Sequence, residues 1–254
     1  MSENQKKIWV TGASSGIGRA VAEKFAKEGW KVAVSARRKE LLDELAKNEN
    51  ISSFPLDVTD RSQINNTFKN ILNEFGELDI CLFSSGTYEP KDEQSIDPEK
   101  IKNVINVNFL GVIDCVKVVE DYFKNKKSGH ISIVSSIAGY RGLPNSSGYG
   151  PSKAALTNFS ESIYFDFKKF GVRVSVVSPG FIKTPLTDKN EFPMPFLKTP
   201  EYAADKIYNG LLKGNAFEIH FPKGLTLTLK FLRILPYKIS VSYTHLTLPT
   251  ICSV

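Results

Sequence analysis

Cysteine and histidine are scarce in this chain, with three of each among 254 residues. Cys81, Cys115 and Cys252 are odd in number and too widely spaced for a Cys-x-x-Cys site, which fits buried free thiols in a reducing compartment. His130, His220 and His245 are likewise isolated, so each is read as structural and no metal site is expected. No Gly-x-Ser-x-Gly surrounds any serine, so the nucleophile elbow of a serine hydrolase is missing. The opening MSENQKK holds no apolar signal segment, and a cytoplasmic location is expected. Charge of one sign is not concentrated either. The net +6 comes from cations spread along the chain, which suits a solvated basic surface that draws in anionic ligands better than a nucleic-acid groove.

What the chain does contain is a globular composition, 41% hydrophobic and 24% charged, enough for one α/β domain with a large core and short for two. An apolar run at 8–10 enters a glycine-rich turn at Gly12, Gly16 and Gly18, and Ile17, Val21, Ala22 and Phe25 then recur at helical spacing. A strand, turn and helix of this kind lets backbone N–H groups and the positive end of the helix face a diphosphate. KVAVSARR follows as a nearly continuous apolar strand, as strands buried on both faces are. Helix patterns through Leu41, Leu42 and Leu45, and through Ile64, Phe68, Ile71, Leu72 and Phe75, alternate with strands at ISSFPLDV and LDICLFSSG. Four strands alternating with helices read as parallel units, with the site at the carboxyl ends of the strands. One long helix is expected to begin near Asp97-Pro98 and end in Lys124, Lys126 and Lys127. It carries Asn108 among apolar positions. Strands GHISIVSSIAG and VRVSVVSPG, a helix over about 200–212 and a last strand AFEIHF complete the series.

Several of these segments carry a further pattern. Thr11, Gly12, Gly16 and Gly18 form T-G-x-x-x-G-x-G, Asp57 precedes Val58, and Asn108 stands in NVNFLG. Tyr149 lies thirteen residues past Ser136 and four before Lys153, and Thr184 follows Pro179-Gly180. Together, over residues 7 to about 221, they resemble the classical short-chain dehydrogenase/reductase family. The resemblance implies a single doubly wound Rossmann-like domain, with a mostly parallel seven-stranded sheet and helices on both faces. It implies an oxidoreductase that interconverts a carbonyl and an alcohol with a nicotinamide cofactor. One departure is Ser84-Ser85-Gly86, where the family has Asn-Ala-Gly. It bears on the bracing of the sheet beside the cofactor, where Ser84 could supply a shorter hydrogen-bonding side chain.

On a helix Tyr149 and Lys153 share a face, and the resemblance makes Tyr149 the general acid or base. A free phenol has a pKa near ~10, and the neighbouring ammonium is expected to lower it; reaching neutrality asks about 3 to 4 kcal/mol of the pair. Ser136 would hydrogen-bond the substrate oxygen. Lys153 would also hold the nicotinamide ribose, and Asn108 would fix a water that resupplies the proton. As a lone amide, Asn108 could equally satisfy a backbone carbonyl. Cofactor contacts are implied for Gly12, Ser14, Ser15, Gly16, Ile17, Gly18, Arg37, Arg38, Asp57, Val58, Gly86, Tyr149, Lys153, Pro179, Gly180, Ile182 and Thr184. Asp57 would face the adenine, or cap the helix that begins near Thr59. Where NAD-dependent members carry Asp this chain has Ala36, followed by Arg37 and Arg38, so NADP(H) is expected in preference to NAD(H). The alternative is two arginines that merely open a solvated helix. Many NADP-binding relatives also carry a basic residue in the glycine loop, where this chain has Ser14 and Ser15.

Phe192, Met194, Phe196 and Leu197, in a proline-rich stretch at the family's variable substrate lid, suggest an apolar substrate or anchor the loop. Residues 1–221 are read as the cofactor-binding domain, 222–240 as an apolar and basic extension, and 241–254 as a non-native tail. The segment 241–250 is what GTC TCT TAT ACA CAT CTG ACG CTG CCG ACG encodes, which resembles a transposase-type sequencing adapter read in frame, so a different natural C-terminus is expected. The extension sets Lys230, Arg233 and Lys238 among leucines and is too short for a confident membrane span. It is read either as an interfacial basic amphipathic helix touching a membrane surface, or as a helix packed on the substrate pocket or a partner subunit. A homodimer or homotetramer built through the long helices is implied by the resemblance. Two further functional readings are a 3-oxoacyl-carrier-protein reductase and a regulator that binds NADP(H) without turnover.

Overall fold

The computed structural model of the protein describes residues 5–89, 96–190 and 194–251, the last seven as backbone alone. Phe192, Cys252 and the side chain of His245 lie outside them. Strands and helices alternate as β1 (Lys7–Thr11), α1 (Gly16–Lys27), β2 (Lys31–Ser35), α2 (Lys39–Leu45), β3 (Ile51–Ser53), α3 (Arg61–Phe75) and β4 (Ile80–Phe83). They continue through α4 (Pro98–Ile105), α5 (Gly111–Lys126), β5 (Gly129–Val134), α6 (Tyr149–Lys168), β6 (Val172–Pro179), α7 (Pro200–Lys213) and β7 (Glu218–Phe221). Two helices, α8 (Lys223–Ile234) and α9 (Tyr237–Ile251), close the chain.

All seven strands pair in parallel, in the order β3-β2-β1-β4-β5-β6-β7. The doubly wound sheet expected from the sequence is therefore present, with every pairing parallel. Successive strand side chains face opposite ways, so Ile8 and Val10 enter the layer of Phe25 and Ile207, while Trp9 enters that of Phe68, Ile71 and Phe83. Burying each such aliphatic side chain contributes roughly 1.5–3 kcal/mol. The chain leaves β1 for β2 on one side and returns to β4 on the other, so the loops after β1 and β4 part and leave a crevice at their carboxyl ends.

The helix starts follow capping chemistry. Asp60 accepts from the N–H groups of Ser62 and Gln63 at the start of α3, and Asp97 does the same for Glu99 and Lys100 ahead of Pro98 in α4. The long helix read from the sequence is instead interrupted: residues Asn106–Leu110 form a π-helical turn between α4 and α5. Asn108 sits at its centre, fully buried.

Cys81 and Cys115 are buried free thiols, as expected. His130 bonds Ser175 Oγ through Nε2 at 2.8 Å and His220 bonds Thr226 Oγ1 through Nδ1 at 2.7 Å, both structural roles. The inner face of α8 sets Leu225, Leu229 and Leu232 against Ile137 and Tyr140. Arg141 fastens the junction of α8 and α9, donating to Ser240 Oγ at 2.9 Å and to the Arg233 carbonyl at 3.0 Å, with its guanidinium 4.3 Å from the Tyr237 ring. Glu218 on β7 receives both the Tyr140 hydroxyl and the Lys230 ammonium. Of the readings of the extension, packing against the pocket side thus describes its inner face. Among the described residues no helix is long and apolar enough to cross a membrane.

Candidate active site

The loop after β1 turns tightly because two glycines meet backbone. A Cβ on Gly12, where φ is +68°, would lie 2.6 Å from the Ser84 carbonyl oxygen, and one on Gly18 would lie 2.5 Å from the Gly12 carbonyl oxygen. Thr11 Oγ1 accepts from the N–H groups of Ser84 and Ser85, at 3.2 and 3.4 Å. The brace to β4 therefore runs through backbone at the Ser84-Ser85-Gly86 departure, not through the Ser84 side chain as expected. Above the loop Arg38 donates to Ser14 Oγ at 2.8 Å and to Ser15 Oγ at 2.8 Å. The glycine loop thus receives its cation from the end of β2, at the two serines where the sequence offered none.

This loop opens into a cleft of about 340 Å³. All the cofactor residues expected from the sequence line it except Gly180 and Ile182. Gly180 lines the neighbouring cavity instead, and the Ile182 side chain is buried in the core layer of Val177 and Phe221. Asp57 turns one carboxylate oxygen to Thr59, accepting from its N–H at 2.9 Å and its hydroxyl at 2.8 Å. The cap of α3 is Asp60, so Asp57 is free of that role and lines the cleft. The lining mixes polar and apolar groups and carries Arg37, Arg38 and Lys189, cations that fit a dinucleotide diphosphate.

Asn108 behaves as a brace. Its Oδ1 accepts from the Thr87 N–H at 2.7 Å, and its Nδ2 donates to the Thr87 carbonyl at 2.9 Å and to Ser152 Oγ at 3.1 Å. Both amide donors are used, so the side chain ties the loop after β4 to α6 and satisfies a backbone carbonyl, one of the two roles read from the sequence. Ser135 is likewise structural, donating to the Lys153 carbonyl at 2.7 Å. Ser136 accepts from the Ala138 N–H at 3.1 Å and directs its own hydroxyl to the Tyr149 phenol.

Tyr149 and Lys153 stand one helical turn apart in α6, with the ammonium 5.5 Å from the ring centre. The expected acidification of the phenol is absent: burial pushes Tyr149 up to about 12, and the Ser136 hydrogen bond offsets this only in part. The reason is visible in the geometry. Lys153 is buried and commits a donor to the Val134 carbonyl at 2.9 Å, and the same desolvation pushes it down to about 8. Tyr88 covers the other side of the phenol edge-on at 5.4 Å between ring centres.

On the far side of Tyr149 lies a second cavity of about 220 Å³, mostly apolar, walled by Ile137, Leu143, Phe181, Leu186, Leu225 and Leu229. Tyr149 lines both cavities, so the phenol stands where they join. Of the lid residues read as substrate contacts, Met194, Phe196 and Leu197 do not line it. Phe196 and Leu197 are exposed, Met194 is tied back to Asn190, and Phe192 is outside the described residues. The sequence also missed Tyr88 and Lys189. Lys189 Nζ donates to the Tyr88 carbonyl at 2.9 Å, strapping the lid across the loop after β4, and no motif marks either residue.

A family profile described as short chain dehydrogenase matches residues 6–193. The chain belongs to the short-chain dehydrogenase family. This dehydrogenase is an oxidoreductase acting on CH–OH groups of a small molecule. An uncharacterized oxidoreductase of Myxococcus xanthus is 34% identical over 89% of this chain and 91% of its own. A 3-oxoacyl-(acyl-carrier-protein) reductase of Thermotoga maritima is 34% identical over 72% of this chain and 77% of its own. Among solved structures, ElxO with NADP bound superimposes with a TM-score of 0.78 at 28% identity, covering 88% of this dehydrogenase and 99% of ElxO.

Proposed function

We propose that this dehydrogenase uses NADP(H) to interconvert an apolar ketone or aldehyde with its alcohol, with Tyr149 as general acid and base. The observation that carries the reading is the position of one phenol, bonded by Ser136 and neighboured by Lys153, at the join between the cleft of the glycine loop and an apolar cavity. A bound nicotinamide supplies or accepts the hydride. With its pKa raised to about 12, the phenol stays protonated through the neutral range and can give its proton to the carbonyl oxygen in reduction. The Ser136 hydroxyl, already aimed at the phenol, holds that oxygen as negative charge gathers on it. Lys153, still mainly protonated at neutral pH, stabilises the phenolate left behind.

Preference for NADP(H) is supported by Arg37 and Arg38 in the cleft, by the absence of an acid at Ala36, and by the Arg38 contacts to Ser14 and Ser15. The arrangement of Ser136, Tyr149 and Lys153 favours turnover over a purely regulatory binder, which needs none of the three. The Thermotoga maritima relative favours 3-oxoacyl thioesters as a narrower substrate class. A cytoplasmic homodimer or homotetramer remains part of the proposal, and Leu110 and Phe165, exposed at the ends of the long helices, are available for the contact.

A panel of apolar ketones, aldehydes, secondary alcohols and a 3-oxoacyl thioester, followed by nicotinamide absorbance with each cofactor, tests the reading. NADPH-dependent turnover is expected. No turnover across the panel would overturn the activity, and a clear preference for NADH would overturn the cofactor assignment.

A further inference from the structure

Helix α8 carries two apolar stripes. Leu225, Leu229 and Leu232 are buried, and the first two wall the substrate cavity. Leu227, Phe231 and Ile234, spaced four and three residues apart on the opposite side, are 55%, 60% and 78% exposed. Tyr237 and Ile239, just past the end of α8, are also exposed, and the exposed Phe196 lies beside Gly224 at the start of α8. An exposed apolar stripe of this kind on a folded chain marks a contact surface.

The charges along this segment have one sign. From Ile219 to Ile251 there is no aspartate or glutamate. Lys230 is neutralised by Glu218, while Lys223, Arg233 and Lys238 are exposed, with no carboxylate partner among the described residues. Lys223 Nζ meets only the neutral-leaning His220, whose pKa is lowered by burial and by the lysines around it.

We propose that this outer face of α8, with the start of α9 and Phe196, docks on an anionic lipid surface. The apolar stripe enters the headgroup boundary, and Lys223, Arg233 and Lys238 meet lipid phosphates. A second copy of the chain is the poorer occupant, because a two-fold contact sets the same patch against itself and would bring these cations together without a carboxylate between them. Since no described helix is long and apolar enough to span a bilayer, the helix lies on the surface. The cavity wall is the other side of the same helix, so the bilayer and the substrate cavity are separated by about 10 Å, the width of one helix. The face is complete within residues 196–239, and the docking does not depend on the catalytic reading.

Co-sedimentation of the full chain with phosphatidylcholine vesicles, with and without phosphatidylglycerol, tests it. Binding is expected only with phosphatidylglycerol present, weakening as salt is added. Arg233→Gln with Lys238→Gln should weaken that binding about thirtyfold, and Leu227→Glu with Phe231→Glu should weaken it by about a hundredfold or more. Circular dichroism and NADPH fluorescence, which read the distant cleft, show that each variant is folded, and the charge pair stands as the test if the glutamate pair fails to fold. No binding to phosphatidylglycerol vesicles at low salt overturns the proposal, as does equal, salt-insensitive binding to phosphatidylcholine. A dimer in light scattering that Phe231→Glu dissociates, without vesicle binding, overturns it in favour of a second copy.

Discussion

The two cavities that meet at Tyr149 are held open in different ways. Around the cleft the chain itself is the wall: Gly12 and Gly18 bring backbone within contact of backbone, and Thr11 pins two further N–H groups. Around the apolar cavity the walls are side chains contributed by separate loops and by α8, each free to be exchanged for another apolar group of similar volume. A ligand of fixed shape can be served by an inflexible backbone mould. A ligand that varies is served by replaceable upholstery on the same frame.

The largest expected effect lies at the junction. Tyr149→Phe should lower turnover by about a hundredfold to ten-thousandfold, with NADPH affinity, measured by fluorescence titration, nearly unchanged. Comparable turnover would break the link between the two cavities. In the cleft, Gly18→Val should destabilise the fold by about 2–3 kcal/mol in urea unfolding and abolish NADPH binding. Retained binding would show that the mould can yield.

Lys153 offers a pH test of the junction's burial. Its pKa falls from 10.5 to about 8 on folding, so across that window the unfolded chain binds the extra proton and stability must rise with pH. This group contributes up to about 3 kcal/mol of the rise. Below pH 8 both states are protonated and the penalty for the buried charge is fully present. Lys153→Met should flatten the slope in urea unfolding at pH 8 to 10, and an unchanged slope would show that the ammonium is hydrated.

At the outer end of the cleft, Arg38→Ala should cut the ratio of NADPH to NADH efficiency by about tenfold, the loss of one charge-assisted contact. The smallest effect belongs to the apolar cavity. Leu229→Met should cost under about 1.5 kcal/mol and change substrate ranking more than cofactor affinity. A collapse of cofactor binding there would erase the contrast.

How much the amino-acid pattern disclosed follows the same division. The strands buried on both faces, the glycine turn and the α6 pair were readable because backbone geometry admits few residue types there, whereas the cap of α3 fell to Asp60 and not to Asp57. The π turn was not, since Asn106–Leu110 keeps an ordinary helical composition. Arg38 was visible as a cation, but its reach across to Ser14 and Ser15 depends on the parallel neighbouring of β1 and β2. Tyr88 and Lys189 meet through a backbone carbonyl, which leaves no trace in residue type. The phenol's pKa was misjudged because sequence spacing brings the ammonium close without saying which carbonyl it faces.

The surplus residue in the Asn106–Leu110 turn sets a phase between the two rods it joins. Deleting one position there would let ordinary winding run through and swing α5 round by about 100° relative to α4. Either Asn108 would lose the edge of Thr87 and Ser152, or Val112, Val116 and Val119 would be turned out of the core. Length at this spot is therefore under tighter restraint than the identity of most residues in it, and a shortened allele should fail even though its helix is the more regular one.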